Sequence, residues 1–159
     1  MRLSIAAVGR LKDGAERVLV DRYLKRLVAA KSLGLGPVVE KEIAEARHAT
    51  AAERQSDEAA RLLKLVGDAD LLIALDERGK AMTSAAFAAW LGARRDDGHR
   101  HAAFLIGGAD GHGLAVRANA HLLLSLGPMT LAHGLARAVL AEQLYRATTI
   151  LAGHPYHRE

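Results

Sequence analysis

The chain has 159 residues and no cysteine, a length that suits one domain over 1–159 and a composition that excludes disulfide scaffolds, thiolate metal sites and cysteine nucleophiles. Hydrophobic residues make up 50% but aromatics only 4%, so the expected core is Leu, Val, Ile and Ala, with little ring surface for stacking on bases. A net charge of +4 permits a polyanionic partner without requiring one, and the apolar start is too short for a secretion signal; with no long apolar run, no membrane contact and a cytoplasmic location are expected.

In chain order, residues 2–8 read as a strand, with Leu3, Ile5 and Ala7 alternating at first against polar neighbours. Asp13 followed by Glu16 opens a helix expected to run to about Lys31, with Val18, Leu24, Leu27 and Val28 as apolar positions. Gly34-Leu35-Gly36-Pro37 breaks it, and residues 38–43 form a second strand. Thr50-Ala51-Ala52-Glu53 is a capping-box sequence, so a helix starts there, carries Leu62, Leu63 and Val66, and stops near Gly67. Residues 70–75 are an apolar run of strand length that ends in the turn-like Asp76-Glu77-Arg78-Gly79. Ser84 starts a third helix through Phe87, Trp90 and Leu91, followed by a polar loop over 94–100. Residues 102–106 are a buried strand ended by Gly107-Gly108, and a short helix over 114–120 leads to a last strand at 121–126. The final helix spans about 131–151, with Gly153 as its stop.

Strands alternate with helices, and the later strands are almost wholly apolar. That pattern predicts an α/β fold, a mostly parallel sheet with helices on both faces. Ligands bind such sheets at the carboxyl ends of strands. Three of those ends have distinctive loops: Leu75-Asp76, Ile106-Gly107-Gly108 and Leu126-Gly127-Pro128-Met129.

Charge is unevenly placed. Seven basic residues between Arg10 and Lys31 stand against Asp13, Glu16 and Asp21, an excess equal to that of the whole chain. This is either a phosphate-facing surface or a solvated helix face with pairs such as Asp21 and Lys25. In the final helix, Leu140, Leu144, Ala147 and Leu151 make one stripe, while Leu131, Leu135 and Val139 point well away from it. A helix apolar on two sides needs two partners, so a homodimer is expected.

Several chemistries are absent or weakly signalled. Gly79-Lys80-Ala81 lacks the spacing of a phosphate-cradling loop, and Ser125 is not in a nucleophile elbow. The segment from Gly108 to Gly113 is not a dinucleotide fingerprint; its plain reading is a tight strand-to-helix turn, although its glycines admit close approach of a ligand. His99 and His101, or His154 and His157, have metal-like spacing, but no acidic cluster or HExxH accompanies them, and no metal is expected. The terminal Gly153-His154-Pro155-Tyr156-His157-Arg158-Glu159 is either a loose chain end or a segment suited to a substrate's base and phosphate.

FLIGGADG at 104–111, LSLGPMTLAHGLARAVLAEQLYRA at 124–147 and the closing PYHRE together resemble the ribosomal large-subunit (23S) RNA pseudouridine N3-methyltransferases, small enzymes of the SPOUT superfamily. The opening MRLSIAAVGRLKD, YLKRL at 23–27 and LDERGK at 75–80 fit as well, so the resemblance covers nearly the whole chain. It implies a C-terminal trefoil knot, a homodimer, and S-adenosylmethionine bound by Leu75, Gly107, Leu126, Gly127, Pro128, Met129, Thr130 and Leu131. The implied substrate is a pseudouridine in helix 69 of large-subunit ribosomal RNA, on the 70S ribosome or large subunit, without a metal. The family's tail motif falls on Tyr156, His157 and Arg158, for which the expected roles are positioning the base, assisting deprotonation and holding phosphate.

Two residues depart from the family pattern. Gly127 stands where Ser is usual, and Ala132 where Pro is usual, which alters loop stiffness rather than reactive groups. The competing readings are a SPOUT enzyme acting on another RNA site and a nonenzymatic nucleotide- or ribosome-binding module.

Overall fold

A computed structural model describes residues 1–156. Five parallel strands, β1 (Arg2–Val8), β2 (Val38–Ile43), β3 (Leu71–Ala81), β4 (His101–Ile106) and β5 (Leu122–Ser125), form one sheet in the order β2-β1-β4-β3-β5. Five helices lie between and after them: α1 (Ala15–Arg26), α2 (Ala51–Leu65), α3 (Ser84–Asp96), α4 (Leu114–Asn119) and α5 (His133–Leu151).

The sheet has a core on each face, as the buried central strands require. Leu3, Ile5, Ile73 and Phe104 face a cluster that takes in Leu91 of α3 and Leu140 and Leu144 of α5. Ala6, Val8, Ala74, Ala103 and Leu105 face Ala59 and Leu62 of α2 and Val116 of α4. The alternation along β1 and β4 therefore sorts successive side chains between two helical layers.

The Thr50 box forms as expected: its hydroxyl accepts from Glu53 N–H at 3.2 Å, while the Glu53 carboxylate accepts from Thr50 N–H at 3.1 Å. Several boundaries differ from expectation. The first helix ends at Arg26 and tightens into a 3-10 turn over Leu27–Leu33. α3 runs on to Asp96, where Arg94 and Arg95 favour the negative end of the helix dipole. The strand expected to end at Leu75 continues to Ala81, because Leu75 and Lys80 both pair with Leu124 and residues 76–79 bulge out between them.

α5 starts at His133 rather than about 131; in it Leu140, Leu144 and Ala147 are buried, whereas Leu135 and Val139, and Leu131 just before it, are 45%, 37% and 38% exposed. Both stripes read from the sequence are present, and the second is uncovered in the single chain. Among the described residues no helix is long and apolar enough to cross a membrane.

Candidate functional site

The strand register brings the three distinctive ends to one edge. Ala74 pairs with Leu105 and Leu75 with Leu124, so Gly107 and Leu126 each lie two residues beyond a partner of that β3 row. Leu75 is half-buried, and Gly107 begins the loop into α4. Beyond β5 the segment 126–131 leaves the sheet, with Met129 80% exposed.

Gly127 has φ +132°, a conformation that side chains rarely adopt, and open space where a Cβ would stand. The Ser125 hydroxyl clasps this turn, accepting from Gly127 N–H at 3.2 Å and donating to its carbonyl at 3.1 Å. The departure from Ser at 127 therefore suits the backbone. Ala132, at φ −57°, sits in a proline-compatible conformation at the start of α5.

An open pocket of about 260 Å³ adjoins the end of β5, between Met82, Phe87, Val139, Leu126, Gly127 and Gln143. Of the eight expected cofactor contacts only Leu126 and Gly127 line it. Gly107 instead faces a shallow cleft on the α2 side, with Glu58 and His112. The eight residues share one edge of the sheet without enclosing one cavity in the single chain.

The tail residue Tyr156 lies elsewhere. Its hydroxyl donates to Glu142 at 3.2 Å, its ring meets Tyr145 edge-on at 4.9 Å, and the Arg146 guanidinium sits 4.9 Å from its centroid. Burial, with Tyr23 and Glu142 alongside, pushes its phenol up to about 12, so it remains a neutral donor at physiological pH. Glu142 is nine residues into α5 from His133, about 13 Å of helix. Tyr156 is thus held along the helix and away from the loop that precedes it. His157 and Arg158 lie outside the described residues.

The early basic segment divides. Arg22, Lys25 and Arg26 are exposed, and Arg26 stacks over Tyr23 and Tyr145 at 5.7 and 5.5 Å. Arg17 turns inward to Glu40 and is also the i,i+4 partner of Asp21, in place of the expected Lys25. His101 is buried against Ser4, its Nε2 2.9 Å from the hydroxyl, which removes it from a surface pair with His99. Among the described residues no group of three or more metal-type ligands converges.

Sequence reasoning missed three site-shaping residues. His112 is buried, with Nε2 3.1 Å from the Leu105 carbonyl, and burial pushes its imidazole below its usual value. Arg117 pairs with the buried carboxylate of Asp76 at 2.9 Å, tying α4 to the bulge in β3. Arg54 grips Asp110 from the first turn of α2. A signal for Arg54 existed: a cation beside the positive end of a helix calls for a nearby anion.

Residues 1–157 match the family model described as "Predicted SPOUT methyltransferase". The chain is 52% identical over 159 residues to Ribosomal RNA large subunit methyltransferase H of Brucella anthropi, covering 99% of each, and 52% identical, with the same coverage, to the Rhizobium meliloti protein of that name. Its fold is like that of a putative methylase family protein from Neisseria gonorrhoeae, with TM-score 0.52, 13% identity, and coverage of 99% of this chain and 85% of that one. A probable methylase family protein from Haemophilus influenzae Rd KW20 gives TM-score 0.51 at 13% identity, covering 99% and 70%.

Proposed function

The chain belongs to the SPOUT methyltransferase family, in the branch of Ribosomal RNA large subunit methyltransferase H, and from that premise we propose that it methylates N3 of a pseudouridine in helix 69 of large-subunit ribosomal RNA, on assembled ribosomes in the cytoplasm. The observation that carries this reading is the meeting of Leu75, Gly107 and the 126–131 loop at one carboxyl edge. These residues fit S-adenosylmethionine. Met129 and Leu131 offer exposed apolar surface for adenine, the half-buried Leu75 and Leu126 stand at the neighbouring strand ends, and Gly107, Gly127, Pro128 and Thr130 offer backbone groups to its edge. When bound, the cofactor supplies an electrophilic methyl group on its sulfonium sulfur.

The chain's own work is positioning and proton management. N3 of pseudouridine is a weak acid that becomes nucleophilic as its proton leaves. In this reading His157 assists removal of that proton, directly or through water, and Arg158 holds phosphate. Tyr156, a neutral phenol, positions the base rather than titrating. Arg22, Lys25 and Arg26 extend a basic surface toward the RNA backbone.

The site is completed by a second copy of the chain. Leu135 and Val139 of α5, with Leu131 just before it, offer an exposed apolar stripe, and the separation of Tyr156 from the 126–131 loop makes a tail from the partner the economical complement. The segment after β5 threads a trefoil knot in this reading, in keeping with a helix that leaves the β5 edge and reaches Gly9 and β2 through Arg137.

The test is methyl transfer from labelled S-adenosylmethionine to 70S ribosomes, large subunits and naked RNA, with the product nucleoside identified by mass. N3-methylpseudouridine on ribosomal substrates is expected. Cofactor binding with label in another nucleoside would overturn the site assignment, and absence of cofactor binding would overturn the enzyme reading.

A further inference from the structure

The loop from Gly107 to Gly113 is fastened from outside the candidate site by α2. Arg54 grips the Asp110 carboxylate with two donors, Nε to Oδ2 at 2.7 Å and Nη2 to Oδ1 at 3.2 Å. The neighbouring Gln55 amide donates to the Asp110 carbonyl. Gly113 packs so closely on α2 that a Cβ would stand 2.6 Å from the Gln55 carbonyl oxygen, and Gly111 N–H closes a turn on the Gly108 carbonyl at 3.0 Å.

Both oxygens of Asp110 are thereby engaged by one guanidinium, which holds the carboxyl below the usual carboxylate range. Arg54 also donates through Nη1 to the His48 carbonyl at 2.9 Å. One side chain therefore joins three pieces of backbone: the approach to α2, its first turn, and the loop after β4. Gly107 immediately precedes this turn and packs against its far end, where a Cβ would stand 2.9 Å from the Gly111 carbonyl carbon.

We propose that Arg54 and Asp110 form a positioning clasp that sets cofactor affinity by holding the backbone of Gly107 in place, an inference that rests on the cofactor reading above. Neither side chain lines the pocket beside Gly127 or the cleft at Gly107, so the clasp acts through the loop backbone. Its loss loosens the cofactor's seat and leaves the tail and the basic surface unchanged.

The experiment compares Asp110→Asn, Arg54→Gln, the double variant and Asp110→Glu in the full chain. In each single variant the Kd and KM for S-adenosylmethionine rise about tenfold, as loss of a charge-assisted bidentate contact implies. The kcat and the KM for ribosomes stay within about twofold, a split that a general structural defect would not give. The double variant is no worse than either single one, since both remove the same interaction, and Asp110→Glu, which keeps the carboxylate, recovers most of the affinity. Because the pair is partly exposed, the thermal midpoint moves by about 4 °C or less.

Wild-type cofactor affinity in both single variants overturns the clasp. So does a loss that follows the thermal midpoint and is not restored by Glu. If the unaltered chain gives no heat with S-adenosylmethionine, the methyl-transfer reading fails and takes the clasp's role with it; the behaviour of the unaltered chain thus distinguishes the two failures.

Discussion

The two halves of the sheet's carboxyl edge are built on opposite plans. At β1 and β2 the edge is closed by charge: Arg137 of α5, fully buried, donates to Glu40 at 2.9 Å, to Glu42, and to the Gly9 carbonyl at 2.9 Å. Arg17 adds a second cation to Glu40, and Glu42 accepts Leu11 N–H at 2.8 Å. The ends of β3 and β4 carry the separate pairs Arg117–Asp76 and Arg54–Asp110, whereas beyond β5 the 126–131 loop has no charged side chain and presents Met129 and Leu131. Carboxylates already paired with two arginines have little left to offer a ligand, whereas an uncovered apolar loop gains from being covered. One half anchors α5 and the other is available for binding.

The largest effect expected from this division belongs to the closed half. Arg137→Met leaves Glu40 and Glu42 without their buried partner, a loss of about 3–5 kcal/mol. Thermal unfolding should show a midpoint lower by about 10 °C or more. A midpoint unchanged by the substitution would mean that the network does not anchor α5.

Gly127→Val should act chiefly on binding, with a smaller effect on the fold. Forcing a branched side chain into φ +132° costs about 1–2 kcal/mol in an exposed turn. Calorimetry with S-adenosylmethionine is expected to show affinity weakened about tenfold, with the thermal midpoint lower by only about 2–8 °C. A midpoint drop as large as that of Arg137→Met would erase the distinction between the halves.

Acid should also separate them. His112, between the ends of β3 and β4, has its pKa lowered first by burial, against the ordinary value of 6.5. Its contribution to stability is complete above that value and declines as pH falls toward the depressed folded value. For Glu42, burial opposes ionisation, but Leu11 N–H and Arg137 outweigh it and hold the carboxyl below its ordinary 4.5. That contribution is lost only below about pH 4.5, as the folded carboxyl takes up its proton. Denaturant titrations across pH should therefore show the first decline begin near 6.5, and His112→Gln should remove it. An unchanged slope in that variant would assign the decline to another group.

The smallest effect is a gain. Ala132→Pro matches the existing φ of −57° at the entry to α5 and should stabilise by about 0.5–1 kcal/mol, read as a slightly higher denaturation midpoint. Destabilisation would mean that the loop needs the freedom that alanine allows.

Much of the architecture was legible because it is written in short-range chemistry. The capping box located α2, the apolar runs located β1 and β4, and the two stripes of α5 announced one covered and one uncovered face. The loops after β3, β4 and β5 could be singled out because glycines and a proline interrupt apolar runs. The continuation of β3 past Leu75 was hidden, since Asp76-Glu77-Arg78-Gly79 looks like a turn and only pairing with β5 carries the strand beyond it.

The sequence alone determined the alternation of strands and helices, the apolar make-up of the core, and, through the closing motifs, the family resemblance. Tertiary structure decided which charges serve which purpose. Arg17, Arg54 and Arg137 look alike in the chain, yet one turns inward to Glu40, one clasps a loop 56 residues away, and one is buried against both edge-strand carboxylates. Periodicity records a residue's neighbours along its own element. The partner of a charge is set by where the chain returns, and that depends on how five strands pack in register.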